Sequence, residues 1–302
     1  MLRFAVSCLV GAFLLGCPKS AGPAPVIVGV SVLRISQPVF VAAQRGLFAK
    51  HGVEVQLRRF DTAQAFGDEL SAGRLDAAGY VAFPILSARA APPAVRALTA
   101  VVEDDSHPLS FLLVKKGAGG GGLASLAGKR VGVLPTVAYE RWLAAILEDA
   151  GVPAGAVSVV PLAPGQQLDA LASGGVEALF TGDPMATVAL ARGIAEPATR
   201  TAPVPHVFGS PFLFGTFAVR AAFADAHPAE VRALTAALDE AIELMRSDAA
   251  LGPAALSEVV REAERPFLAS APPTRYLRST EVTAEALQQA FESARGLWGA
   301  GK

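Results

Sequence analysis

The sequence predicts an α/β protein of two lobes, and three observations lead there. Short runs rich in Val, Leu and Ala alternate along the chain with segments of helical periodicity. The order strand, helix, strand, helix, strand occurs twice, about a hundred residues apart, with matching local sequence. Hydrophobic residues make up 52% of the chain, enough to cover parallel sheets on both faces.

The first unit opens with Val26-Ile27-Val28-Gly29-Val30, an uninterrupted apolar run of strand length. The loop Ser31–Ser36 leads into a helix from Gln37 to Lys50, with Phe40, Val41, Gln44, Leu47 and Phe48 at helical spacing. Pro38 falls in its first turn, where the missing N–H removes no bond. Val53, Val55 and Leu57 alternate as a strand ending at Phe60, Asp61-Thr62 cap a second helix ending at Gly73, and Leu75–Tyr80 is the third strand. The second unit repeats this with strands Arg130–Leu134, Val157–Leu162 and Val176–Phe180 and helices Val137–Ala150 and Gly165–Ala172. Leu70-Ser71-Ala72-Gly73-Arg74-Leu75-Asp76-Ala77 echoes Leu171-Ala172-Ser173-Gly174-Gly175-Val176-Glu177-Ala178. Each unit implies right-handed crossovers and a mostly parallel sheet, so the pair implies two lobes. Phe111–Val114 and the Pro-rich passage Pro197–Pro211 read as crossings between them, and Phe214–Val219 as a further strand. Helices at Pro228–Arg246, Pro253–Arg265 and Ala284–Leu297 close the chain and are expected to return to the first lobe. The expected division is residues 26–108 with 221–302 for lobe one and 109–220 for lobe two.

The N-terminus has the layout of a secretory signal over residues 1–16. Arg3 gives a positive start, Phe4–Leu15 is apolar, and Gly16-Cys17 ends the run. About a dozen apolar residues fall short of the ~20 needed to span a bilayer. Leu14-Leu15-Gly16-Cys17 resembles the lipobox of bacterial lipoproteins, which implies cleavage before Cys17, acylation of its thiol and a tethered linker over residues 17–25.

Composition excludes several functions. With 26 basic and 27 acidic side chains there is no cationic excess to neutralise phosphates, so no nucleic-acid partner is expected. The two cysteines, Cys8 and Cys17, fall in the signal and the lipid site, which leaves no thiol for a disulfide, thiolate metal site or nucleophile. The four histidines, His51, His107, His206 and His227, are far apart in sequence, and no metal or cofactor is expected.

The run Val39–Val55, with Gln44-Arg45-Gly46-Leu47-Phe48 at its centre, resembles the first helix and second strand of extracytoplasmic solute-binding proteins. The subgroup is the NMT1/THI5-like one, serving sulfonate, taurine, nitrate and thiamine-precursor ABC transporters. Leu70–Asp76, Leu123–Val133 and Gly182-Asp183-Pro184 resemble the same family in order and spacing, from about Val26 to Arg246. The resemblance implies a type II periplasmic-binding-protein fold, with two lobes around a ligand cleft. It also implies a monomer that delivers solute to an ABC permease and its ATPase from the periplasmic or extracytoplasmic face.

Ligands of open parallel sheets bind beyond the carboxyl ends of the strands. That places candidates in the loops Ser31–Gln37, Asp61–Ala63, Tyr80–Pro84, Thr136–Glu140 and Thr181–Pro184. Arg34 offers a bidentate fork for a carboxylate, sulfonate or phosphate, with Ser36 beside it. Tyr80 either finds a core partner or faces the cleft. Thr62 and Thr136 stand at helix starts, where a hydroxyl either caps the helix or meets a ligand, and Tyr139 follows in the same loop. Asp183-Pro184 reads as a cap before a helix more than as a ligand contact, while Phe83 and Phe212 are aromatic candidates for core or pocket wall. Few charges in these loops point to a small solute with one charged, anionic group on an apolar body. An enzyme of the same fold, making menaquinone or thiamine precursors, and a sensor presenting solute to a membrane receptor are the alternatives. The enzyme would need a base or histidine in the cleft, and His51 ends a helix, where a cation complements the dipole. No catalysis is expected.

Overall fold

A computed structural model describes residues 24–88, 94–118, 121–153 and 155–299. The signal segment and Cys17 lie outside the described residues. Among those described, no helix is long and apolar enough to cross a membrane.

The first repeat unit folds as β1 (Val26–Ser31), α1 (Gln37–Gln44), α2 (Leu47–Lys50), β2 (Val55–Phe60), α3 (Ala63–Ser71) and β3 (Ala77–Ala82). The single helix expected over Gln37–Lys50 is two, because Gly46 takes a left-handed φ of 66° between them. α4 (Phe83–Ser87) and β4 (Val95–Glu103) lead through the first crossing to β5 (Phe111–Lys115). The second unit is β6 (Arg130–Val133), α5 (Val137–Asp149), β7 (Ser158–Pro161), α6 (Pro164–Ser173) and β8 (Ala178–Thr181). α7 (Met185–Ala191), β9 (Ala195–Pro197) and α8 (Pro203–Phe208) return the chain to β10 (Phe212–Arg220). α9 (Ala221–Ala226), α10 (Pro228–Ser247), α11 (Leu251–Ser257), β11 (Arg275–Leu277) and α12 (Ala284–Gly299) complete it.

Two sheets result, in the orders β11-β4-β10-β3-β1-β2 and β7-β6-β8-β5-β9. Each repeat unit contributes its strands in parallel: β1 lies between β2 and β3, and β6 between β7 and β8. The sheets are therefore mixed, with parallel pairing confined to the repeats. β10 and β11 pair antiparallel in the first sheet, and β5 pairs antiparallel with both β8 and β9 in the second. Phe212–Arg220, assigned to lobe two from sequence, is hydrogen-bonded between β3 and β4. Pro197–Pro211, read as the second crossing, ends where β10 enters the first sheet.

The two units share a packing device. A Cβ on Gly29 of β1 would meet Leu75 Cδ1 at 2.6 Å and Phe66 Cβ at 2.8 Å; one on Gly132 of β6 would meet Leu179 Cδ2 at 2.7 Å and Leu162 Cδ1 at 2.8 Å. At Gly29 helix α3 and the loop before β3 lie too close for a Cβ, and at Gly132 strand β8 and the loops beside it leave room for one only if leucine side-chain ends shift. The C-terminal helices cover the first sheet. The Gln44 side chain donates to Ala255 O at 2.9 Å, tying α1 to α11, while Lys50 and His51 meet Glu240 of α10 at 2.6 and 2.7 Å. The helix expected over Pro253–Arg265 is broken: α11 stops at Ser257, and a 3-10 stretch, Glu262–Ser270, contains Pro266.

Candidate functional site

The carboxyl ends of β1, β2, β6 and β8 face one another across the gap between the sheets, and their loops enclose a cavity of about 30 Å³. That holds water but no organic solute, so a ligand must part the walls. Leu33, Ile35, Ile85, Leu109, Leu134 and Phe214 make the wall largely apolar; Arg34, Asp61, Thr62, Thr136, Tyr139 and Asp183 supply its polar side chains.

Arg34 and Asp183 join the lobes. Arg34 is 3% exposed, and its Nη2 lies 2.9 Å from Asp183 Oδ2. Asp183 Oδ2 is nonetheless without a directed hydrogen bond, so charge rather than alignment holds the contact. The Arg34 amide also donates to Asp183 O at 3.1 Å. Nη1 donates to Pro272 O and Nη2 to Pro108 O, which binds the guanidinium to the C-terminal segment and to the first crossing; Nε has no partner. Asp183 is fixed from its own lobe, since Oδ1 accepts the Thr187 N–H at 2.8 Å at the start of α7. The Asp183–Pro184 peptide is cis. Its carboxylate thus caps a helix and neutralises Arg34, occupying the partner that an anionic ligand would need.

Behind the cavity wall sits Glu103, fully buried at the end of β4. Its Oε1 accepts the Leu109 N–H at 2.8 Å, the Ser110 N–H at 2.6 Å and the Ser110 hydroxyl at 2.7 Å, while Oε2 is buried without a partner. Burial pushes this carboxyl up to about 7, against the opposing pull of the Ser110 and Leu109 donors and of Arg34. Tyr139 lies in the same field. Burial raises its hydroxyl well above the ordinary value, the Glu103 and Asp183 charges add to this, and Arg34 opposes it. Its ring tilts onto Phe180 at 4.9 Å and meets Trp142 edge-on at 5.6 Å.

The candidate residues divide into two groups. Arg34, Thr62, Thr136, Tyr139 and Asp183 come together at the cavity. The two threonines also cap helices there: Thr62 Oγ1 accepts from Ala65 N at 3.2 Å and Thr136 Oγ1 from Tyr139 N at 3.3 Å. Ser36, Tyr80, Phe83 and Phe212 do not line it. Ser36 turns its hydroxyl to Gly79 O at 3.3 Å. Tyr80, at φ 63°, is buried in the first sheet with its hydroxyl 2.9 Å from Thr99 Oγ1 and its ring edge-on to Phe217 and Tyr276. Phe83 packs on Phe291 beneath α12 at 4.9 Å. Phe212 joins Phe208, Phe214 and Trp142 in an aromatic cluster beside the second crossing, and of these Phe214 reaches the cavity. Sequence reasoning missed Glu103, Leu109 and Tyr276, whose hydroxyl donates to Arg34 O at 2.7 Å. Glu103 ends an apolar strand just before the crossing, a position that signals a buried acid only once the strand is recognised.

Comparison with known proteins agrees with this architecture. In the solved structures, the alkanesulfonate-binding protein SsuA from Xanthomonas axonopodis pv. citri, bound to MOPS, superposes with a TM-score of 0.73 at 20% identity, over 93% of this chain and 94% of that one. The periplasmic aliphatic sulphonate binding protein SsuA from Escherichia coli gives 0.71 at 18% identity, over 92% and 93%. The periplasmic nitrate-binding protein NrtA from Synechocystis PCC 6803 gives 0.63 at 18% identity, over 79% and 66%. These likenesses establish the periplasmic-binding-protein fold. No curated protein matches the sequence. The model of the NMT1-like family matches residues 19–257, more than half of the chain, and the protein therefore belongs to the NMT1-like family.

Proposed function

We propose that this chain is the solute-binding component of an ABC importer, tethered at the extracytoplasmic face by lipid on Cys17. It captures a small, largely apolar organic solute by closing its two lobes and presents the closed form to a permease and its ATPase. The observation that carries this reading is the Arg34–Asp183 contact, in which a side chain from each lobe meets beside a cavity at the strand ends. Family membership and the likeness to sulfonate- and nitrate-binding proteins support it. A solute touching both walls stabilises the shut population in proportion to its preference for that state. The cavity wall supports the expected apolar body. The expected anionic group has less support, because Asp183 already meets Arg34.

A thermal-shift screen of a soluble chain beginning at Pro18, with mass spectrometry for retained solute, tests the reading. The panel would hold sulfonates, taurine, nitrate, aromatic carboxylates, pyrimidines and amines. At a hundred times Kd a ligand adds about 2.7 kcal/mol, a shift of several degrees for a chain of this size. No shift across the panel and no retained solute would defeat solute capture.

A further inference from the structure

The charges around the cavity do not suit an anion. Among the described residues lining it, the charged ones are Arg34, Asp61 and Asp183, two acids to one base. The base is the least available of the three, because its guanidinium already meets Asp183, Pro108 O and Pro272 O. Behind Leu109 and close enough to Arg34 and Tyr139 to act on both stands Glu103. Of the buried carboxyl oxygens there, Asp183 Oδ2 has only the poorly aligned Arg34 Nη2 at 2.9 Å, and Glu103 Oε2 has no hydrogen-bond partner. Both lie in or behind one wall, and an unsatisfied buried acceptor is costly until a donor reaches it. A carboxylate or sulfonate entering here would meet Asp61 and Asp183 and would have to displace Asp183 from Arg34. A protonated amine or amidinium would instead bring a directed donor to Asp183 Oδ2 and offset the excess of negative charge.

Resting on the solute-capture reading above, we infer that the cleft selects a cationic solute, a protonated amine or amidinium on an apolar body, and discriminates against carboxylates and sulfonates. Asp183 is the residue that sets this preference. It meets the solute's charge as the lobes close, and Asp61 adds to the field from the same wall. The apolar wall of Leu33, Ile85, Leu134 and Phe214 receives the body.

Five probes sharing one ring isolate the charge: benzamidine, benzylamine, benzamide, benzoate and benzenesulfonate. Calorimetric titration of the chain beginning at Pro18 is expected to give benzamidine and benzylamine at least tenfold tighter binding than benzoate and benzenesulfonate. Asp183→Asn should reduce that ratio by tenfold or more, with folding checked by circular dichroism. Should that variant not fold, Asp61→Asn, on the same cavity wall, is expected to reduce the ratio severalfold. Anions binding as tightly as the cations, or a ratio unmoved by both substitutions, would overturn the inference. If none of the five binds while a solute of the broader panel does, the charge preference is refuted and solute capture stands. Silence in both panels refutes the two together.

Discussion

Glu103 makes the stability of this protein depend on pH in a direction opposite to most carboxylates. Its carboxyl stands at about 7 in the folded chain against an ordinary value of 4.5, because burial penalises the charge more than Ser110, Leu109 and Arg34 relieve it. Between those two values the folded state holds a proton that the unfolded chain has released. Its contribution to stability is therefore complete below about 4.5, declines as pH rises, and is fully lost above about 7. Integrated from pH 5 to pH 8, a single group shifted this far removes about 2.5 kcal/mol. Glu103→Gln keeps an acceptor for the Leu109 and Ser110 donors and cannot ionise. Urea unfolding of both proteins at intervals from pH 5 to 8.5 separates Glu103 from the histidines, which are common to the two. The wild type should lose about 2 to 3 kcal/mol relative to Glu103→Gln across that window. A constant difference between the two proteins at every pH would mean that Glu103 does not titrate differently in the folded chain, and a difference of opposite sign would show that it ionises easily where it stands.

Other expectations follow from single contacts. Cys17→Ser should move the protein from membrane to soluble fractions, and its retention on membranes would contradict acylation at that thiol. Tyr80→Phe removes the bond to Thr99 and should cost about 1 to 3 kcal/mol while leaving solute affinity unchanged; a tenfold loss of affinity would place Tyr80 in the cleft after all. Gly29→Ala should destabilise by about 1 to 3 kcal/mol, more than Gly132→Ala. The new methyl at Gly29 meets the Cβ of Phe66, whereas at Gly132 it meets only the ends of leucine side chains. Equal midpoints in urea would show that the first sheet has more room than its packing indicates.

The repeat was legible because each unit obeys local rules. Apolar runs of strand length, glycines at helix ends and threonine caps fix β1 to β3 and β6 to β8 without reference to the rest of the chain. β4 and β11 escaped notice for the opposite reason. Arg275-Tyr276-Leu277 has too few residues to show a period, and its partners lie far away in sequence. Helix Gln37–Lys50 kept its apolar stripe across Gly46, so periodicity alone hid the break. At the site, the loops were readable from strand ends, and five candidates do meet at the cavity. What a side chain does on arrival depends on its distant partners. Arg34 meets an acid from the other lobe, and Tyr80 finds Thr99, neither of which is adjacent in sequence. Glu103 illustrates this most fully, since an acid with an exposed and a buried position available is assigned to one only by the fold.

Under the proposed function, the lobes close on a solute. In the closed arrangement Arg34 and Asp183 are both buried, and their mutual attraction is offset by the loss of hydration, so the pair alone need not keep the lobes shut. With Cys8 and Cys17 absent from a chain beginning at Pro18, two labels can be placed without background. Arg45→Cys on the first lobe and Glu148→Cys on the second are both exposed positions. Double electron–electron resonance between them reads the separation of the lobes directly. A broad distribution with a long-distance component is expected in solute-free protein, collapsing to a single short distance when the solute found in the screen is added. One unchanged distance with and without solute would contradict capture by closure.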